Sequence, residues 1–314
     1  MRLPLSLPAT RRFDVTAVGE HSIDLVAVVD HHPAPDTKVE MHDFARLPGG
    51  ESATAAVALA RVGARARYVG RLGDDDFGRH GLEVLRKEGV DVERVVVVPG
   101  ATSRFAIILV DRSAGHRTVV WRLDPRLHMA GDDVPDTVLA ETRVLLVNSQ
   151  EPEPMADVAE RARRAGVRTV VDVERVRPGV DRLLRAMDVV IAADGFPEAF
   201  TGRAGRGAAL AALQEATGAA VVCVTLGAEG SLARCAGREL RTPAFPVDVV
   251  DTTGAGDVFR AGFIAGWLDS GGGDLAEVLR WANGMAALNC RGLGARTASP
   301  TRTELHALLS AHSM

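Results

Sequence analysis

Apolar and polar positions along the chain fall into two rhythms. From residue 144 onward, short Val-, Ile- and Leu-rich runs at 144–147, 169–173 and 189–192 predict strands, and 155–165 and 180–186 carry the helical spacing between them. That alternation predicts parallel βαβ units. Residues 13–19 read as a first strand, 55–62 and 79–88 as helices, and 219–225 and 231–235 as further strands. Two other pairs of segments read as short strands, the second pair alternating apolar and polar residues. Residues 25–29 and 38–44 flank a turn with Pro33 and Pro35, and 102–110 and 117–122 flank Asp111-Arg112-Ser113-Ala114-Gly115. The first pair has few apolar residues on one face, so it is expected to project from the body. Together the two pairs predict a small β-sheet lid over about 25–47 and 101–122. After an extended apolar segment at 245–250, helical spacing returns at Val258, Phe259, Gly262, Phe263, Trp267 and Leu268, then at 275–288 and 300–309. The expected fold is one three-layer α/β/α domain over 1–314, with a mostly parallel sheet and the β lid.

Composition narrows the class. A hydrophobic content of 46% supplies a sizeable core and argues against disorder. A net charge of −4 gives no basis for nucleic-acid binding. No run of about 18 apolar residues exists to span a membrane, and the segment 1–12 lacks the apolar centre of a signal peptide. Cys223, Cys235 and Cys290 have no metal-ligand spacing and sit in apolar surroundings, as expected of reduced thiols in a cytoplasmic protein.

The densest chemistry lies where the extended segment meets its helix. Gly254, Ala255 and Gly256 leave little bulk over the first backbone N–H groups of the helix, which lack intrahelical partners and carry the positive end of the dipole. Such a place holds a phosphate. Asp257 puts a carboxylate inside it, and the economical role for that carboxylate is to take a proton from a hydroxyl attacking phosphorus. Other candidates stand at strand ends, where open α/β sheets bind ligands. Asp24 follows the first strand, and Gln150 follows the run at 144–147. Gly49 and Gly50 permit close approach to a ligand, with Ser52 as N-cap of the next helix. Lys38 either faces the substrate or guards a sheet edge. Arg104 is either a contact for a negatively charged substrate group or a solvated surface residue. Asp74, Asp75 and Asp76 read as charge at a helix start rather than as a metal site.

The stretch Asp251-Thr252-Thr253-Gly254-Ala255-Gly256-Asp257-Val258-Phe259, followed by Ala261-Gly262, resembles the second signature of the ribokinase-like (PfkB) sugar kinases. Residues 49–90 resemble the first signature, with Thr54 where the family usually has Asn. The resemblance runs from Val18 to about Pro300. It implies a ribokinase-like fold and transfer of the ATP γ-phosphoryl group to a sugar hydroxyl, with Mg²⁺ on the phosphates. Asp257 would be the base and 254–256 the anion hole. Asp24, in a Gly-x4-Asp pattern from Gly19, would hold sugar hydroxyls. Asp251 and Thr253 would lie near a monovalent-cation site, such as K⁺, and the loop 291–295 would serve cation and adenine. Thr225, Gly227 and Gly230 match the nucleotide loop Thr-x-Gly-x-x-Gly, and Asn283 would border adenine. The family's Asn-x-x-Glu falls on Ala193 and Phe196, leaving Asp194 or Glu198 to supply its carboxylate. A homodimer through the lid is expected. Within the family, the motifs at 49–57 and 245–257 look most like sulfofructose kinases, although Gln150 stands where an Arg would hold the sulfonate. A keto-sugar is favoured as acceptor. The alternatives are a nucleoside kinase of the same family, which predicts an aromatic patch under the lid, and a catalytically silent sugar- or nucleotide-binding protein.

Overall fold

The structure, a computed structural model, describes residues 1–113 and 116–312. Ala114 and Gly115, in the expected hairpin turn, lie outside the described residues. Eight strands form the central sheet: β1 (Phe13–Val18), β4 (Ala66–Val69), β9 (Thr142–Asn148), β10 (Arg168–Val173), β11 (Val189–Ala192), β12 (Val221–Thr225), β13 (Ser231–Cys235) and β14 (Arg238–Thr242). Their spatial order is β14-β13-β12-β11-β10-β9-β1-β4; the β12–β13 and β13–β14 pairs are antiparallel and all the others parallel. The strands buried on both faces are near-continuous Val, Ile and Leu, because helices cover each side.

One core cluster packs α1 (Glu51–Arg61), α8 (Ala255–Asp269) and α9 (Leu275–Asn289) on one face of the sheet. The other packs α4 (Pro152–Arg164), α5 (Val180–Arg185) and α7 (Arg206–Thr217) on the opposite face. The three cysteines are buried free thiols. Among the described residues no helix is long and apolar enough to cross a membrane.

The lid is a four-stranded sheet in the order β3-β2-β7-β8, from β2 (Ser22–Val29), β3 (Met41–Gly49), β7 (Phe105–Asp111) and β8 (His116–Arg122). β2 and β7 pair in parallel, joining the two hairpins. Val26, Ala106 and Ile108 form its small core, with Leu47, Val110 and Leu293 packed against them. Residues 30–40 form no strand. Pro33 and Pro35 lack the N–H a ladder needs, so β3 starts at Met41 and not at Lys38. The acidic run behaves as a helix start: Asp75 caps α2 (Asp76–Lys87) by accepting from Gly78 N–H at 2.9 Å.

Candidate active site

The segment 243–250 is extended but joins no sheet, and it delivers the chain to α8. Gly254 caps that helix with φ 73°, a left-handed conformation that disfavours side chains. A Cβ there would also run into the carbonyl oxygen of Ala295. Ala255 N–H bonds back to Thr252 O (3.2 Å), and Val258 N–H bonds to Gly254 O (2.9 Å). The N–H groups of Gly256 and Asp257 belong to the unpaired first turn of the helix.

Asp257 sits in that turn with its side chain 13% exposed. Burial, then the negative charge of Glu51, pushes its pKa up to about 8, while Arg260 works in the other direction. A carboxylate so placed accepts a proton from a hydroxyl in its ionised form, which grows in as the pH approaches 8.

Three charged neighbours were not read from the sequence. Asp172 lies near the carboxyl end of β10, Glu51 opens α1, and Arg260 is one turn beyond Asp257 on α8. Arg260 is ion-paired with Asp172, and its Nη1 stands 4.0 Å from Asp257 Oδ1. Glu51, Asn148, Asp172, Asp257 and Arg260 line one small cavity. Gln150 reaches this group: its Nε2 donates to Glu51 Oε1 (3.2 Å), and its Oε1 accepts from Arg177 Nη2 (2.7 Å). The available signals were positional. Asp172 stands at the carboxyl end of a parallel strand, and Arg260 interrupts an apolar helix face.

Asp24 is buried on β2 and accepts from Ser22 Oγ at 2.8 Å; burial raises its pKa. Gly49 lies beside it, where any Cβ would strike the carboxylate, and Gly50 turns at φ 90° against the backbone of His21. Gly50, not Ser52, is the N-cap of α1; Ser52 lies inside the helix and its Oγ donates to Val18 O (2.9 Å). Thr54 is fully buried and its Oγ1 has no protein partner, a state that suits a hydroxyl kept for a ligand.

Two expected substrate contacts are placed otherwise. Lys38 lies in the exposed connection 30–40, lining a surface recess with Asp30, His32 and Glu40. Arg104 is ion-paired with Glu20 and lies over the Trp121 ring, 4.6 Å from its centroid, so its charge is matched within the protein. Burial lowers its pKa to about 10, which leaves it a cation at neutral pH.

On the nucleotide side, Thr225 ends β12 and its Oγ1 donates to Ala192 O (3.4 Å). Gly227 and Gly230 turn at φ 55° and 91°, and a Cβ on Gly230 would strike the carbonyl of Thr242. Asn283 is buried, and its Nδ2 donates to Ser231 Oγ and Leu279 O, both at 3.0 Å; the amide ties α9 to β13. Asp194 is exposed and ion-paired with Arg206 at 3.0 Å. Glu198, on α6 (Phe196–Thr201), has Oε2 buried with no protein partner. Of the two carboxylates offered for the altered Asn-x-x-Glu region, Glu198 is the uncommitted one.

Lid and body meet at the loop that opens α8, where Arg117 Nη1 of β8 donates to Thr252 Oγ1 at 3.0 Å. Asp24, Ala106 and Trp121 are direct neighbours across β2, β7 and β8, so they share one lid face. Trp121 is 54% exposed there.

Comparison with known proteins agrees with this geometry. Residues 12–302 match the pfkB family carbohydrate kinase profile. The chain is 31% identical over 306 residues to an ATP-dependent ribose-1-phosphate kinase of Halopiger xanaduensis, covering 94% of this chain and 98% of that protein. It is 32% identical over 281 residues to a fructokinase of Klebsiella pneumoniae, covering 83% and 91%. Arabidopsis thaliana ribokinase, solved with ribose and ATP, superposes with a TM-score of 0.81 at 25% identity, covering 95% of this chain and 98% of that one.

Proposed function

Because the chain belongs to the PfkB family of carbohydrate kinases, we propose that it transfers the γ-phosphoryl group of ATP to a hydroxyl of a small neutral sugar, with a keto-sugar favoured. Family membership makes it a phosphotransferase with an alcohol acceptor rather than a silent binder. The observation that carries the reading is Asp257: a carboxylate of raised proton affinity set within the unpaired N–H groups of a helix start.

In this mechanism Asp257 removes the proton from the attacking hydroxyl, and the N–H groups of Gly256 and Asp257 stabilise the charge on the transferring group. Gly254 and Ala255 shape that turn. Thr225, Gly227 and Gly230 flank the nucleotide, and Asp251 with Thr253 brace the loop. Among the described residues no cluster forms an all-protein metal cage, as is usual for Mg²⁺ that arrives on nucleotide phosphates and meets one or two carboxylates. The buried, partnerless Glu198 Oε2 fits that role. Mg²⁺, when bound, neutralises phosphate charge.

Asp24, Glu51 and Gln150 offer acceptors for hydroxyl groups, backed by Thr54 and the close approach at Gly49 and Gly50. With Arg104 matched by Glu20, this wall suits a neutral polyol better than an anion. Trp121 on the Asp24 face of the lid supports a second reading, a nucleoside acceptor stacked on the indole. The opposite lid face groups Ile107, Val120 and Phe44, all exposed and linked through the pairs Ile107–Val120, Leu25–Ile107 and Ala27–Phe44. Such a patch suits burial against the lid of a second copy. The buried thiols accord with a cytoplasmic setting.

The test is ATP-dependent phosphorylation of fructose, ribose, ribose 1-phosphate, fructose phosphates, 2-keto-3-deoxygluconate, sulfofructose and nucleosides. Turnover of a neutral keto-sugar, lost in Asp257→Asn, supports the reading. A preference for a phosphorylated sugar or a nucleoside would replace the acceptor while keeping the chemistry.

A further inference from the structure

The resemblance to the sugar kinases brings with it a monovalent-cation site beside the catalytic loop, near Asp251 and Thr253. The donor set of this chain does not fit one. Asp251 Oδ1 accepts from Thr253 N–H (2.9 Å) and Thr253 Oγ1 (2.8 Å), and Asp251 Oδ2 accepts from Gly294 N–H (2.8 Å). Both carboxylate oxygens are thus capped by protein donors.

One backbone oxygen of each of the two loops is capped as well. Asn289, fully buried at the end of α9, sends its Nδ2 to Thr253 O (3.2 Å) and to Ala295 O (3.0 Å). Ser299 Oγ donates to Asn289 Oδ1 (2.8 Å) and fixes which way the amide points. Thr253 belongs to the loop that opens α8, and Ala295 to the loop that follows α9. Ala295 O is also the atom on which Gly254 packs. One side-chain amide therefore joins two loops whose carbonyls face a common point. A monovalent cation is held by carbonyl oxygens directed at it, and an NH₂ group occupying that point excludes the ion.

We infer that in this chain the Asn289 amide takes the place of the monovalent cation, so that the catalytic loop is braced without K⁺. The inference deepens the kinase reading and, for its activity arm, rests on it. An amide is a neutral, permanent strut, whereas an ion equilibrates with solution; the brace should be independent of salt identity.

The experiment compares the wild-type chain in choline chloride, NaCl and KCl at one ionic strength, by thermal melting and by phosphorylation of the best acceptor. An ion that binds the folded chain stabilises it by mass action, so the expected result is an unchanged melting midpoint and rates that agree within about twofold. A potassium-specific rise in melting, or activation of about tenfold (about 1.4 kcal/mol in the barrier) by K⁺ over choline, would overturn the inference. Asn289→Asp puts a carboxylate at the same point and is expected to melt higher in KCl than in choline chloride. Asn289→Ala is expected to lose activity in choline chloride and regain part of it in KCl. Absence of turnover with every acceptor would defeat the kinase reading alone, because the melting comparison still decides the place of the cation.

Discussion

Arg260 links the carboxylates of Asp257 and Asp172: it is ion-paired with Asp172 while its Nη1 lies 4.0 Å from Asp257 Oδ1. All three side chains are largely withdrawn from solvent. Removing the cation strands two carboxylates, and breaking a buried pair costs about 3–5 kcal/mol. Arg260→Met should therefore lower the urea midpoint sharply, and Arg260→Met with Asp172→Leu should recover much of the loss. Arg260→Lys keeps the charge and should fold, with kcat reduced more than acceptor KM.

The pH profile follows from the same cluster. The pKa of Asp257 is pushed up to about 8, so kcat/KM should rise with pH and level off above that value. Glu51 contributes to the upward shift, so Glu51→Gln should move the limb to lower pH. A limb that stays in place would show that Glu51 is not felt by the base.

Asp257→Asn should cut kcat by about a hundred- to ten-thousand-fold, the range for general-base catalysis, with ATP binding kept. Stability should move the other way. The folded pKa, about 8, lies above the ordinary 3.8, so the carboxylate's favourable contribution is complete at low pH and lost as pH rises to 8. Above pH 8 the Asn variant escapes that penalty, and its Tm should exceed wild type by about 3–6 °C. Calorimetry at two pH values checks the sign.

Thr54→Val separates ligand binding from folding. The hydroxyl is buried and unpaired in the free protein, so its loss should leave Tm unchanged or higher. Loss of a hydrogen bond to bound acceptor should raise KM about fivefold to tenfold, roughly 1 kcal/mol. A drop in Tm with unchanged KM would assign Thr54 to the core instead.

The lid supplies the oligomeric prediction. Ile107→Glu and Val120→Glu place charge on its exposed apolar face and should give monomers in sedimentation, while Tm of the body changes little.

Much of this was legible in the sequence because it rests on local patterns. Alternation of strand and helix pointed to the parallel sheet, and the two pairs of short strands pointed to the lid. The Asp251–Asp257 stretch located the helix start and its carboxylate. What escaped depended on contacts between distant segments. Glu51, Asp172 and Arg260 come from three separate elements, and no spacing rule joins them. The partner of Arg104 is Glu20, some eighty residues earlier in the chain, so a residue that reads as a free cation is a matched one. Lys38 was misplaced for a local reason, since the two prolines lengthen the connection and delay the strand. Asn283 was read as bordering adenine; its fastening of α9 to β13 needs the fold.

The hydrogen bond from Arg117 to Thr252 ties the lid to the loop that opens α8. An outward swing of the sheet to admit a sugar would break that bond, so on the kinase reading the entrance would open only as the loop gives up one of its supports. Solvent that enters through the open mouth meets nucleotide in a less finished site, and the last support returns as the entrance shuts behind the acceptor. On the kinase reading, that order of events would protect ATP from water: readiness to react would be set by the act of closing.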